Sequence, residues 1–199
     1  MGRPRGFDET VVLDAAERAF WSGGYEATSL ASVSRASGVG NGSLYAAYAS
    51  KLNLFLVVFE RYCAGRVRLV SDVMATPGSV AEVVDRFLEV IVDDCVAHSP
   101  SWGCLMLNSI AEIGLREPEV ASIGSRTIAE MESHVADRLR AAREVEPSSI
   151  GDDELDALAA HVVLVSQGLI QLSRVEGSRE RLRSIAEEST RLVAARWAA

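Results

Sequence analysis

Residues 28–51 read TSLASVSRASGVGNGSLYAAYASK, and this stretch constrains the chain more than any other. Thr28 and Ser29 open a short run with apolar residues Leu30, Val33 and Ala36. Gly38 breaks it, a second run carries Leu44, Tyr45 and Tyr48, and Ser50-Lys51 opens a third. Hydroxyl residues ahead of an apolar run favour helix starts, and glycine favours helix ends. The spacing predicts a short helix capped by Thr28, a glycine-bearing turn, a second short helix, and the start of a longer one capped by Ser50. That is the layout of a helix-turn-helix, whose second helix enters the DNA major groove.

The rest of the chain reads as helices as well. Val12, Leu13, Ala16, Ala19 and Phe20 recur at helical spacing between Asp8 and Ser22, with Gly23-Gly24 as a stop. The helix opened by Ser50 turns Leu54, Phe55, Val58, Phe59 and Tyr62 inward and runs to about Met74. Thr76-Pro77-Gly78-Ser79 is a break. Helices are then expected over 80–97, from Cys104 to about Ile113, over 119–143, over 152–173 and from Ser178 to Trp197, with loops at 98–103 and 146–151. No alternating strand pattern and no repeat occurs. The expectation is an all-α chain of about nine helices: a reading head over 1–51 and a larger helical domain over 52–199.

Composition narrows the function classes. The net charge is −8. Residues 1–51 hold five basic and five acidic side chains, so they carry no net charge, and the whole −8 lies in residues 52–199 (15 basic, 23 acidic). The acidic remainder repels a phosphate backbone from every face but that of the reading head. The apolar stretch near Val162–Ile170 is too short to span a bilayer, and the N-terminus lacks a signal-peptide core. A cytoplasmic protein without a membrane partner is expected. Three cysteines (Cys63, Cys95, Cys104) and three scattered histidines give neither a disulfide framework nor metal-ligand spacing, so no metal or cofactor is expected.

The last two helices are distinctive. The 152–173 segment is apolar over most of its circumference (Leu158, Val162, Val165, Leu169), and such a helix must be covered on several sides. The final helix carries one stripe: Leu182, Ile185, Ser189, Leu192 and Arg196. One side of this pair suits the chain's own core and the other a second copy, in a four-helix interface.

The first fifty residues resemble the tetracycline-repressor (TetR) family of bacterial transcriptional regulators. The resemblance is carried by Val12-Leu-Asp-Ala-Ala16, Ala19-Phe20, Gly24-Tyr25, Thr28-Ser29-Leu30, Val33, Ala36, Gly38-Val39, Gly42-Ser43-Leu44-Tyr45, Tyr48 and Ser50-Lys51. It implies a homodimer that reads a palindromic double-stranded DNA operator, with a small-molecule effector bound among the C-terminal helices.

Residue chemistry then assigns roles. Thr28, with Ser29, lies where a helix N-terminus can hold phosphate. Asn41 and Ser43 begin the recognition helix, where Asn pairs with adenine edges and Ser with bases or phosphate. Gly40 and Gly42 permit close approach to the DNA backbone. Ala46 and Ala47 offer methyl contacts, and Tyr45 a hydroxyl to phosphate, while Tyr48 packs inward. Lys51, the only lysine, lies where family members contact phosphate. Arg3 and Arg5 form an arm suited to the minor groove. Where many family members carry a capping Ser and a basic residue, this chain has Gly40 and Asn41.

For the effector, the candidates are polar or aromatic residues on apolar faces: Tyr62, Arg66, Phe87, Trp102, Met106 and Asn108, then Glu112, His134, His161, Gln167 and Gln171. The mix favours a modest-sized, partly hydrophobic organic molecule. Two other readings stay open. Cys104 follows Gly103 at a helix start, a setting that can activate a thiol for sensing electrophiles or oxidants. A helical interaction module without DNA binding fits the weak helix start at Gly40-Asn41-Gly42. An enzyme is not expected, because no general base or glycine-rich catalytic turn accompanies Cys104.

Overall fold

The computed structural model describes residues 7–97, 102–146, 148–175 and 177–199. Among them are nine α-helices and no strand. Helix α1 (Glu9–Ala27) starts at Asp8, whose carboxylate accepts the Thr10 N–H at 2.9 Å. Gly24, at φ 82° and ψ 170°, interrupts it, so the expected stop is real. The chain nevertheless makes one further turn before Thr28. Helix α2 (Leu30–Ser37) is closed by Gly38 in the left-handed conformation at φ 71°. Helix α3 (Asn41–Tyr48) follows, and Ser50 caps α4 (Lys51–Met74) as expected, its hydroxyl accepting the Asn53 N–H at 3.0 Å.

Packing divides the chain into two units. The first is Met1–Ala64 with Cys104–Gly124. It takes in the start of α4, helix α6 (Leu105–Ile113) and the start of α7 (Pro118–Ala142), so it extends past the reading head expected over 1–51. The reason is the size of the core. Phe20 of α1 meets Phe55 of α4 edge-on at 5.0 Å, and Phe55 stacks on Phe59 at 5.3 Å. All three are fully buried, each contributing about 1.5–3 kcal/mol. Leu30, Val33, Leu44 and Tyr48 join this unit's core. Ala36, expected on the inner face of α2, is exposed.

The second unit is Gly65–Gly103 with Ser125–Ala199. Helix α5 (Val80–Ala97) packs on α8 (Asp152–Ser173) and α9 (Arg179–Ala198), which also pack on each other. α5 buries Val83, Val84, Phe87, Leu88 and Ile91, the expected set. Arg143 donates to the Ile150 carbonyl at 3.1 Å and Ser148 to the Trp197 carbonyl at 2.6 Å, which ties down the connection into α8. α8 runs well beyond the stretch expected to be too short for a bilayer. Among the described residues it is the one unbent helix long and apolar enough to cross a membrane. Its contacts with α5 and α9 are those of a core helix.

The interface set on α8 and α9 needs correction. Val162, Leu169, Leu182 and Ser189 are buried within the chain's own packing. Leu158, Val165 and Ile185 are half-buried, while Arg196, exposed, pairs with Glu154. The outward apolar residues are Leu164, Val175 and Leu192, exposed by 66%, 84% and 57%. A helix apolar on two faces does not announce which face is inner, and on α8 the exposed large apolar residue is Leu164, roughly opposite Val162.

A reciprocal box starts α5. Ser79 donates its N–H (2.8 Å) and hydroxyl (3.0 Å) to Glu82, whose own N–H returns to the serine oxygen. The Ser79 N–H, then its hydroxyl, hold the Glu82 carboxyl below its ordinary 4.5. A carboxyl lowered on folding stabilises the native state above its unfolded value, and that contribution is lost as pH falls through the folded value. Glu82→Gln is therefore expected to flatten the fall in stability as pH drops below the ordinary carboxyl value of 4.5, read by urea midpoints at successive pH values.

Candidate nucleic-acid interface

The reading head is built on α2, its turn and α3. Ser29 caps α2 through a reciprocal box: its oxygen accepts the Ser32 N–H at 3.1 Å, and the Ser32 oxygen accepts the Ser29 N–H at 3.0 Å. The cap is thus Ser29 and not Thr28. Thr28 is buried, and its hydroxyl donates to the carbonyls of Gly24 (2.7 Å) and Ala19 (3.1 Å). Those bonds stitch the end of α1 together. In the turn, Ser34 donates to the Val39 carbonyl at 2.7 Å and Ser37 accepts the Val39 N–H at 3.3 Å.

α3 sorts its side chains by face. Leu44 and Tyr48 point inward, and the Tyr48 hydroxyl reaches Glu9 at 3.2 Å. Asn41, Gly42, Ser43, Tyr45 and Ala46 are exposed, Tyr45 by 52%, and Ala47 is half-buried. Gly40 has no capping side chain, and nothing lies within 4 Å of a Cβ built on Gly40 or Gly42. The chain's own packing therefore does not require glycine at either position. The exposed face carries no charged side chain.

Lys51 is half-exposed and already engaged. Its Nζ donates to the carbonyls of Tyr25 (3.0 Å) and Glu26 (3.4 Å) and lies 4.1 Å from the centre of the Tyr25 ring. Burial, then the charges of Glu117 and Glu26, raise the Tyr25 phenol above its ordinary 10.0. Arg3 and Arg5 lie outside the described residues.

The effector candidates are shared between the two units. Tyr62, Met106, Asn108 and Glu112 belong to the first unit, and Arg66, Phe87, Trp102, His134, His161, Gln167 and Gln171 to the second. Tyr62 is buried, edge-on to Trp21 at 5.2 Å, and its hydroxyl donates to the Cys104 sulfur at 3.5 Å. Cys104 is itself buried, so its thiol is not open to solvent. Arg66 pairs with Asp94 at 2.8 Å. Phe87 is a fully buried core residue. His161 and Gln171 are exposed on α8 and so line no interior pocket, while Trp102, Asn108, His134 and Gln167 are half-buried. Glu112 corrects its assignment most clearly: its carboxylate accepts the N–H groups of Tyr25 and Glu26 in the first unit, both at 2.9 Å. Sequence spacing carried no signal for that, because 86 and 87 residues separate the partners.

Comparison with known proteins agrees with this geometry. The sequence model of the bacterial regulatory proteins of the tetR family matches residues 12–58, which run from within α1 to the start of α4. A protein from Rhodococcus sp. RHA1, described as a TetR transcriptional regulator, is 30% identical, with 94% of this chain and 98% of that one covered and a TM-score of 0.61. The chain belongs to the TetR family of bacterial regulatory proteins. It is a DNA-binding transcriptional regulator. The transcriptional repressor ComR of Escherichia coli K12 is 29% identical over 192 residues, covering 96% of this chain and 91% of ComR. The TetR family regulator CifR, solved as a cysteine variant with 26-base-pair operator DNA, is 28% identical at a TM-score of 0.77, covering 95% and 98% of the two chains.

The placement of Thr28 generates a test within this TetR-family head. Thr28→Val keeps the shape and removes both hydroxyl bonds. It is expected to lower stability by about 0.5–1.5 kcal/mol in denaturant unfolding, leaving two part-buried carbonyls without that donor.

Proposed function

We propose that the chain is a transcriptional repressor that binds a palindromic operator as a homodimer and leaves it when a small organic effector binds. The observation that carries the reading is the exposed face of α3, set on a packed three-helix head. Asn41 and Ser43 read base edges in the major groove, and Tyr45 donates to phosphate. Gly40 and Gly42, which packing leaves free, let the backbone approach the duplex, and Ser29 at the start of α2 adds a phosphate contact. Lys51 acts from beneath, by holding the Tyr25–Ala27 turn, with phosphate contact through its remaining donor. Arg3 and Arg5 track the minor groove. The DNA-reading segment is 1–51, residues 52–199 serve dimerisation and effector binding, and the protein works in the cytoplasm with its DNA.

Its repressor sign is supported by ComR, and operator binding by the CifR complex. Effector contacts fall to the second unit's half-buried Trp102, His134 and Gln167, with the Arg66–Asp94 pair. A gel shift against DNA upstream of the protein's own gene tests the reading. Salt-sensitive, sequence-selective retardation is expected, and its absence overturns the proposal. Asn41→Ala is expected to cost about 1–3 kcal/mol at one base pair of each half-site, with an unchanged salt slope because Asn carries no charge.

Dimerisation is proposed through the outward side of α8 and α9, with Leu164 and Leu192 at its centre, Val175 in the connection between the two helices, and Leu158, Val165 and Ile185 at its edge. Such a surface asks for an apolar partner, and a second copy presents the same surface. Leu164→Asp is expected to give monomers in sedimentation and at least about 100-fold weaker operator binding, through loss of the second reading head.

A further inference from the structure

The end of α1 is a short helix of its own. After the break at Gly24 the chain makes a single turn over residues 25–27 and then enters Ser29, the cap of α2. A turn that restarts after a break presents unpaired N–H groups at its start and unpaired carbonyls at its end. Here both ends are served from elsewhere in the first unit. The Glu112 carboxylate, from α6, takes the N–H of Tyr25 on Oε2 and that of Glu26 on Oε1, each at 2.9 Å. Lys51, from α4, gives its ammonium to the Tyr25 and Glu26 carbonyls. An anion at the start and a cation at the end match the dipole of a helical turn.

Two further features fit a seat made for this carboxylate. A Cβ on Gly24 would lie 3.0 and 3.1 Å from the two Glu112 oxygens, and the φ of 82° already disfavours any other residue there. Arg116, just past α6, pairs with the Glu26 carboxylate at 2.7 Å and donates to the Glu112 carbonyl at 3.3 Å. Glu112 lies far outside residues 12–58, so the family match does not place it in the reading head.

We propose that Glu112 is a positioning residue for DNA binding: through its two bonds to the Tyr25–Ala27 turn, α6 fixes the angle at which α2 and α3 are presented. The proposal rests on the regulator reading above. It makes a prediction of unusual sign. Removing a negative charge from a DNA-binding protein strengthens phosphate attraction, so simple electrostatics calls for tighter binding by a Glu112 variant. A positioning role calls for weaker binding.

The test uses the full chain and duplexes that the wild type selects from a random-sequence pool. Glu112→Gln loses one acceptor and the charge, whereas Glu112→Asp keeps the charge on a side chain one methylene shorter. Both are expected to bind the selected duplex about tenfold more weakly, the effect of losing a charge-assisted hydrogen bond. Amide exchange should quicken at Tyr25 and Glu26 and stay unchanged in α5 and α8. Glu119→Gln, which removes an exposed carboxylate at the start of α7, is expected to bind as well as wild type or better. Glu112→Gln binding as tightly as Glu119→Gln, or unchanged exchange at Tyr25 and Glu26, overturns the proposal. If Glu112→Gln does not fold, Glu112→Asp carries the test, and failure of both to fold overturns it in favour of a purely structural role. A wild-type chain that selects no duplex overturns the regulator reading itself, and this inference with it.

Discussion

Two eight-residue helices hold too few internal hydrogen bonds to persist alone in water. Everything this protein does with DNA depends on how α2 and α3 are kept folded. The answer is a shared apolar core. Leu30 and Val33 of α2 and Leu44 and Tyr48 of α3 are buried in the unit whose centre is Phe20, Phe55 and Phe59. Local chemistry then trims the ends, with the Ser29–Ser32 box at the start of α2 and Gly38 at its finish. α3 lacks even a capping side chain, so its existence rests on Leu44 and Tyr48 and on the helices beneath them.

The sequence spelled out much of this. Apolar periodicity located all nine helices to within a few residues, because helix ends here coincide with glycine, proline and hydroxyl residues that act locally. Thr28 and Ser29 show where such reading stops. Both residues can cap; in the fold Ser29 accepts the Ser32 N–H, while Thr28 is buried and donates its hydroxyl proton to the Gly24 and Ala19 carbonyls. Glu112 shows the same limit at longer range: a carboxylate on a mostly apolar short helix looks like a pocket residue until its partners are known.

α8 fails differently. Its residues are apolar nearly all the way round, so periodicity established that two faces need cover and was silent on which is inner. The fold decides that with α5. Val162 and Leu169 turn to the chain's own core, and Leu164, on the roughly opposite side of the helix, faces outward. The proposal that α8 takes a partner rests on the breadth of the apolar surface and not on the particular residues.

The small side chains of α3 bear on how binding energy is obtained. Net charge gives little: residues 1–51 are neutral overall, the rest of the chain repels phosphate, and the exposed face of α3 holds no charged residue. A reader without a cationic helix has to rely on a few directional donors, such as the Asn41 amide, the Ser43 and Tyr45 hydroxyls and the backbone N–H groups at helix starts. Hydrogen bonds weaken steeply with misalignment, whereas charge attraction tolerates it. Affinity built from such donors is therefore sensitive to small rotations of the head. That sensitivity gives a physical reason for the density of fixings around residues 24–29, where Thr28, Lys51, Glu112 and the Ser29–Ser32 box all act on six consecutive residues. The weaker the charge attraction, the more of the binding must come from geometry, and in this chain the geometry is secured mainly at the junction of α1 and α2.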